Sequence, residues 1–145
     1  MTPTYADQMP TPTPDTTQRF VAGNAAQDAD RLGRDGWIAG VFFADDETEN
    51  ARTAQDLEVK HWAYPRGGGQ CHPPKVATNT EWTMILSGSV LATVGGEHLT
   101  LNAGDYVLIH PGTPNNVVQE VLEDTVGITV KSPSDPTAKT VLPRA

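Results

Sequence analysis

The sequence predicts an all-β domain, a sandwich or barrel of short strands, and three observations predict it. Between Leu57 and Lys131 apolar residues come in short runs bounded by turn residues at fairly regular spacing. One run, Leu57 to Tyr64, alternates with period two: Val59, His61 and Ala63 share one face, and Glu58, Lys60, Trp62 and Tyr64 the other. Finally, 12 prolines and 13 glycines in 145 residues break helices and punctuate strands.

In chain order, residues 1–17 alternate Pro and Thr with almost no apolar content, the composition of a flexible arm, or of one laid across a partner subunit. Residues 18–145 then read as a single domain with its motif-bearing core over 57–131. That length suffices to bury roughly 68–70% of the unfolded surface. From Gln18 to Leu32 the spacing fits a short strand or a helical turn. Gly36-Trp37-Ile38-Ala39-Gly40-Val41-Phe42-Phe43 is an apolar run expected as one buried strand. Asp45 to Asn50 reads as a solvated acidic loop rather than a metal site. After Leu57–Tyr64, Pro65-Arg66-Gly67-Gly68-Gly69 makes a turn. Further strands follow at Glu81–Leu86, Val90–Val94, His98–Leu101, Tyr106–Ile109, Asn116–Val121 and Thr125–Lys131, jointed by Ser87-Gly88-Ser89, Gly95-Gly96, Ala103-Gly104-Asp105, Pro111–Pro114 and Glu123-Asp124. The tail from Ser132 packs loosely or adds an edge strand.

Charge narrows the partners. Eighteen acidic against ten basic residues give a net charge of -8, a field that repels a phosphate backbone, so nucleic acid is not expected. Anionic membrane surfaces are disfavoured on the same ground. The chain has no apolar run of the roughly 18 residues that a membrane span requires. Its N-terminus has no basic region leading into an apolar one. A lone cysteine, Cys71, forms no internal disulfide. The expectation is a soluble, cytoplasmic protein.

Two phrases then resemble a known family. Glu81, six residues and Gly88 look like the end of the first cupin motif; Gly104-Asp105 leading into Pro111-Gly112-Thr113-Pro114 looks like the second. The strand pair around Gly95-Gly96 has the expected length between them. The resemblance implies a cupin-type double-stranded β-helix, a jelly-roll barrel, and a homodimer formed through outer strands. A full site of that family has two histidines spaced by one residue, a glutamate a few residues on, and a histidine after the Pro-Gly-x-Pro phrase. Glu81 matches the glutamate, Asn115 stands where the last histidine would, and His72 lies near the first histidine's place but eight residues before Glu81. Pro74 stands two residues after His72, where no imidazole can follow.

This partial set can hold one divalent transition metal (Fe, Mn, Ni or Zn) through His72 and Glu81, with His61 a further candidate, though a metal-poor pocket is favoured. His61, on the Val59 face, can point into the barrel; His110 ends a strand at the pocket mouth. An inward Glu81 needs a partner such as His72 or Lys60, because an unpaired buried carboxylate is costly. Cys71 beside His72 raises a thiolate–imidazole pair, yet strand neighbours point to opposite faces. Trp37, Trp62, Trp82 and Tyr106 read as core or interface aromatics, with one stacking on a ligand.

The expected function is an enzyme acting on a small molecule by acid–base chemistry, a dehydration, isomerisation or cyclisation with Glu81 and His72 as catalytic groups. Asn115, His61, His110, Lys60 and Tyr106 are the candidate substrate-binding residues. A metal-dependent lyase or dioxygenase and a non-catalytic small-ligand-binding module stay open as alternatives; the retained inward carboxylate favours an enzyme over the latter.

Overall fold

The computed structural model describes residues 19–68 and 73–143. The expected arm over 1–17 and the Cys71-His72 pair lie outside the described residues. Residues 25–31 form α1 (Ala25–Arg31), opened by Asn24, whose side chain accepts from the Gln27 amide at 3.0 Å. That cap satisfies one of the helix's free amides and decides between helix and strand in this region.

The run from Gly36 to Phe43 is not one strand. It divides into β1 (Trp37–Ala39) and a single turn of 3-10 helix over Val41–Phe43. Gly40 adopts φ 150 at the break. Arg34 draws the corner round, donating to the Phe42 carbonyl at 2.8 Å with its guanidinium 4.8 Å from the Phe43 ring centroid. A short apolar run reads alike whether it pairs as a strand or fills a corner. The acidic loop is tied down by arginines: Asp46 takes the Thr48 and Glu49 amides and pairs with Arg34, while Glu49 pairs with Arg31 and Arg52. The Thr48 amide, foremost, holds the Asp46 carboxyl below its usual range, and the Arg31 hydrogen bond does the same for Glu49.

The remaining strands are β2 (Glu58–Tyr64), β3 (Lys75–Ala77), β4 (Thr80–Ser87), β5 (Ser89–Val94), β6 (Glu97–Asn102), β7 (Tyr106–Ile109), β8 (Asn115–Val121), β9 (Thr125–Ser132) and β10 (Lys139–Val141). Among the described residues they form two five-stranded antiparallel sheets, ordered β1-β2-β9-β4-β7 and β10-β3-β8-β5-β6. This is the expected all-β barrel. The tail supplies β10 as an edge strand. β3, three residues after two prolines, is too short to show a period.

Both motif phrases serve the same corner. Gly88 ends β4 at φ 92, and a side chain there would meet the Asp124 carbonyl at 2.3 Å, so the turn into β5 requires glycine. Gly104 donates to the Ile85 carbonyl at 2.7 Å, and the Ile85 amide donates to the Asp105 carbonyl at 2.9 Å, docking the second phrase onto β4. Beneath this corner Trp62, Ile85, Val90, Ala92, Leu101, Ile109 and Val117 form the buried core. Among the described residues no helix is long and apolar enough to cross a membrane.

Candidate active site

Strand register decides which side chains meet. Across β2, β9 and β4, Glu58, Lys131 and Glu81 stand in one row, Lys60, Thr129 and Thr83 in the next, and Trp62, Gly127 and Ile85 in a third. The rows pass from charged through hydroxyl to apolar, and the third joins the core. Trp62 can lie across β9 only because Gly127 has no side chain; a Cβ there would fall 2.1 Å from the indole.

Over these rows lies a cavity of about 330 Å³, near the lower end of small-molecule sites. Its walls carry Glu81, Lys60, Lys75, Lys131 and Lys139, the hydroxyls of Thr83 and Thr129, and Trp37, Trp62 and Tyr64. Glu81 is 5% exposed. Its Oε1 receives Lys75 Nζ at 2.6 Å, with Lys131 Nζ at 3.9 Å. Thr83 Oγ1 donates to Glu81 Oε2 at 3.1 Å and lies 2.9 Å from Thr129 Oγ1, which accepts from Trp62 Nε1 at 3.0 Å. Thr83 spends its one proton on the carboxylate, and indole only donates, so the chain runs from Trp62 to Thr129 to Thr83 to Glu81. That relay fixes the plane of the carboxylate.

Burial tunes the amines. Lys131 is pushed down to about 8, chiefly by desolvation and then by the Lys75 charge, against the opposing pull of Glu81 and Glu58. Desolvation lowers Lys60 as well and raises Glu58 and Tyr64. Lys60 and Lys131 hold their ammonium groups 5.5 and 5.6 Å from the Trp37 ring centroid.

Of the residues expected from sequence, Glu81 and Lys60 are on the cavity wall. His61 is corrected: it pairs with Ile128 on the opposite face of β2 from Lys60, Trp62 and Tyr64, and so points away from the cavity. Tyr106 is 64% exposed and stacks on Trp82 at 6.1 Å between centroids, on the outer face of the sheet. His110 is exposed and off the cavity wall. Asn115 is buried but off that wall too; its Nδ2 donates to the Thr113 carbonyl at 3.1 Å, and its neighbour Asn116 lines the cavity instead. His72 lies outside the described residues, although Pro73, next in sequence, is on the wall. Sequence reasoning missed Lys75, Lys131, Thr83 and Thr129. One of them was findable: Lys75 and, two residues on, Ala77 precede Glu81 by a few positions, where the resemblance calls for two histidines spaced by one.

Two antiparallel sheets closed over a charged interior define a double-stranded β-helix barrel. The family model for the cupin domain matches residues 60–130. That match, over just under half of the chain, and this fold support a member of the cupin superfamily. By structure it resembles an uncharacterised conserved protein with a double-stranded β-helix domain from Klebsiella pneumoniae, at 20% identity over 63% of this chain and 78% of that one, TM-score 0.54. It also resembles DMSP lyase DddQ from Ruegeria pomeroyi, at 19% identity over 61% of this chain and 44% of that one, TM-score 0.53. KdgF from Halomonas sp. is a third, at 21% identity over 57% of this chain and 74% of that one, TM-score 0.50. These likenesses are to the fold, and the chain spans under half the length of the lyase. No curated protein matches the sequence.

The family's metal can be tested against this donor set. Around Glu81 stand ammonium groups, which have no lone pair to offer a cation and repel it. Asn115 keeps a buried Oδ1 without a hydrogen-bond partner among the described residues, yet no imidazole joins it. Nor do the described residues include any group of three His, Cys, Asp or Glu side chains able to hold a metal. The described residues do not fit a transition metal.

Proposed function

We propose that this cupin is an enzyme that moves a proton on a small molecule in the barrel cavity, in a dehydration, isomerisation or cyclisation, with Glu81 as the base. The observation that carries the reading is the buried Glu81 carboxylate clamped between Lys75 and the Thr83 relay, with a second amine, Lys131, shifted to about 8. Oε1 is engaged by cations, so the proton is taken at Oε2, beside the neutral Thr83 hydroxyl. Lys75 holds the carboxylate in place, and Lys131, within reach of both charge states near neutrality, returns a proton to the product. A positioned acid–base pair of this kind contributes typically ~10²–10⁴-fold in rate. His72 remains a candidate partner on its adjacency to Pro73. One neighbour in fold is a lyase, a reaction class within this reading.

Metal analysis and chelation test it against the metal-dependent alternative. The purified protein is expected to carry far less than one equivalent of Fe, Mn, Ni or Zn, and ligand binding and turnover to survive a chelator. A stoichiometric metal lost on Glu81→Gln would overturn the proposal.

The assembly we propose is a homodimer through the outer face of the first sheet. There the register sets Val59, Val130, Trp82 and Leu108 in one row and His61, Ile128, Met84 and Tyr106 in the next. Leu108 is 51% and Leu86 46% exposed, and a contiguous apolar face of this kind calls for cover. Leu108→Glu is expected to convert a dimer to a monomer in light scattering; a wild-type monomer at the same concentration contradicts the assignment.

A further inference from the structure

Lysine occurs four times in the chain, at positions 60, 75, 131 and 139, and all four line this one cavity. They come from both sheets: Lys60 from β2 and Lys131 from β9 on one side, Lys75 from β3 and Lys139 from β10 on the other. The chain as a whole carries a net charge of -8, so the cluster runs against the molecule's own composition. On the cavity wall the four ammonium groups meet two carboxylates, Asp35 and Glu81, which leaves a surplus of two positive charges (four minus two). Glu58 and Asp135 lie in the adjoining hollow behind Lys131 and Lys139. Lys75 and Lys131 engage Glu81, whereas Lys60 and Lys139 make no ion pair among the described residues. Gathering cations out of water costs free energy that an incoming anion recovers.

The geometry points to a small organic acid as the substrate class: an oxyanion held in the lysine arc, with an unsaturated or aromatic body against Trp37, Trp62 and Tyr64. The inference deepens the acid–base reading and rests on it in taking this cavity as the substrate site. Ammonium groups bind a carboxylate or a phosphate alike; the three aromatic walls favour the organic acid over the inorganic ion. Glu81 competes for the same lysines, so a bound acid that shares the Lys75 charge leaves Glu81 a stronger base at Oε2 while Lys75 still holds Oε1.

Tryptophan fluorescence reads this directly, because Trp37 and Trp62 line the cavity while Trp82 faces outward. Benzoate, benzamide and inorganic phosphate are titrated at low ionic strength. Benzoate is expected to bind saturably, about tenfold or more tighter than its neutral isostere benzamide, and to weaken with salt. Lys131→Met and, at the barrel edge, Lys139→Met each weaken benzoate several-fold; Glu81→Gln tightens it by freeing Lys75. Equal binding of benzoate and benzamide, or binding of neither to folded protein, overturns the anion site. Phosphate bound more tightly than benzoate overturns the organic-acid assignment. The acid–base reading fails separately: if Glu81→Gln tightens benzoate yet keeps full turnover, the anion site stands and the base is elsewhere.

Discussion

Glu81→Gln is expected to reduce turnover by about 10²–10⁴-fold while the barrel stays folded. Glutamine keeps the shape and can still accept from Thr83, so the relay from Trp62 survives, but it has no basicity with which to take a proton. The same substitution removes one of the two carboxylates that hold the Lys131 proton on, and Lys131 should therefore titrate below its wild-type value of about 8. The two readouts are independent. Circular dichroism and the lysine titration confirm that the fold and the charge cluster respond as described, and the rate then reports on chemistry alone. A Glu81→Gln protein with unaltered turnover removes the base from the mechanism.

Gly127→Ala carries the second large effect, and it falls on stability. The added methyl would lie 2.1 to 2.6 Å from three atoms of the Trp62 indole, which is itself 7% exposed and anchored to Thr129 at 3.0 Å. Neither side can yield cheaply: Gly127 is mid-strand, paired to Trp62 on β2 and to Ile85 on β4. Overpacking of a core typically costs 1–3 kcal/mol, and loss of the buried indole hydrogen bond adds roughly 1 kcal/mol, so about 2–4 kcal/mol is expected. For a domain of this size that lowers Tm by roughly 6–12 °C. Trp62 holds the far end of the relay, so the variant should also loosen Glu81. A melting temperature within a degree or two of wild type contradicts the packing described here.

Turn chemistry made the fold legible. Gly88, Gly104-Asp105 and the Pro111–Pro114 loop each mark a joint that the chain uses, and the strand runs between them carry their boundaries to within a residue or two. Where apolar runs do not separate strand from corner, as at Gly36–Phe43, or where a strand has three residues, as β3 has, period gave no guide. The site was harder to read for a different reason. In β2 the alternation separated two faces correctly, but Val59, His61 and Ala63, the more apolar triplet, face outward, and Glu58, Lys60, Trp62 and Tyr64 face in. A barrel whose inner charges answer one another, Glu58 and Glu81 about Lys131, inverts the ordinary rule that apolar residues mark the inside. Lysine and threonine in strands carry no motif, so Lys131, Thr83 and Thr129 became visible only when register set them in rows beside Glu81.

With four lysines in the chain and all of them on the cavity wall, a ¹³C-labelled lysine titration followed by NMR observes the site with no background from lysines elsewhere. The central claim is that Glu81 sits in a desolvated lysine cluster poised for proton transfer near neutral pH. It predicts one resonance with a midpoint of about 8, absent in Lys131→Arg and displaced downward in Glu81→Gln, and a second, from Lys60, below the ordinary lysine value. Four lysines titrating together near the ordinary lysine value of 10.5, unchanged by Glu81→Gln, would contradict it.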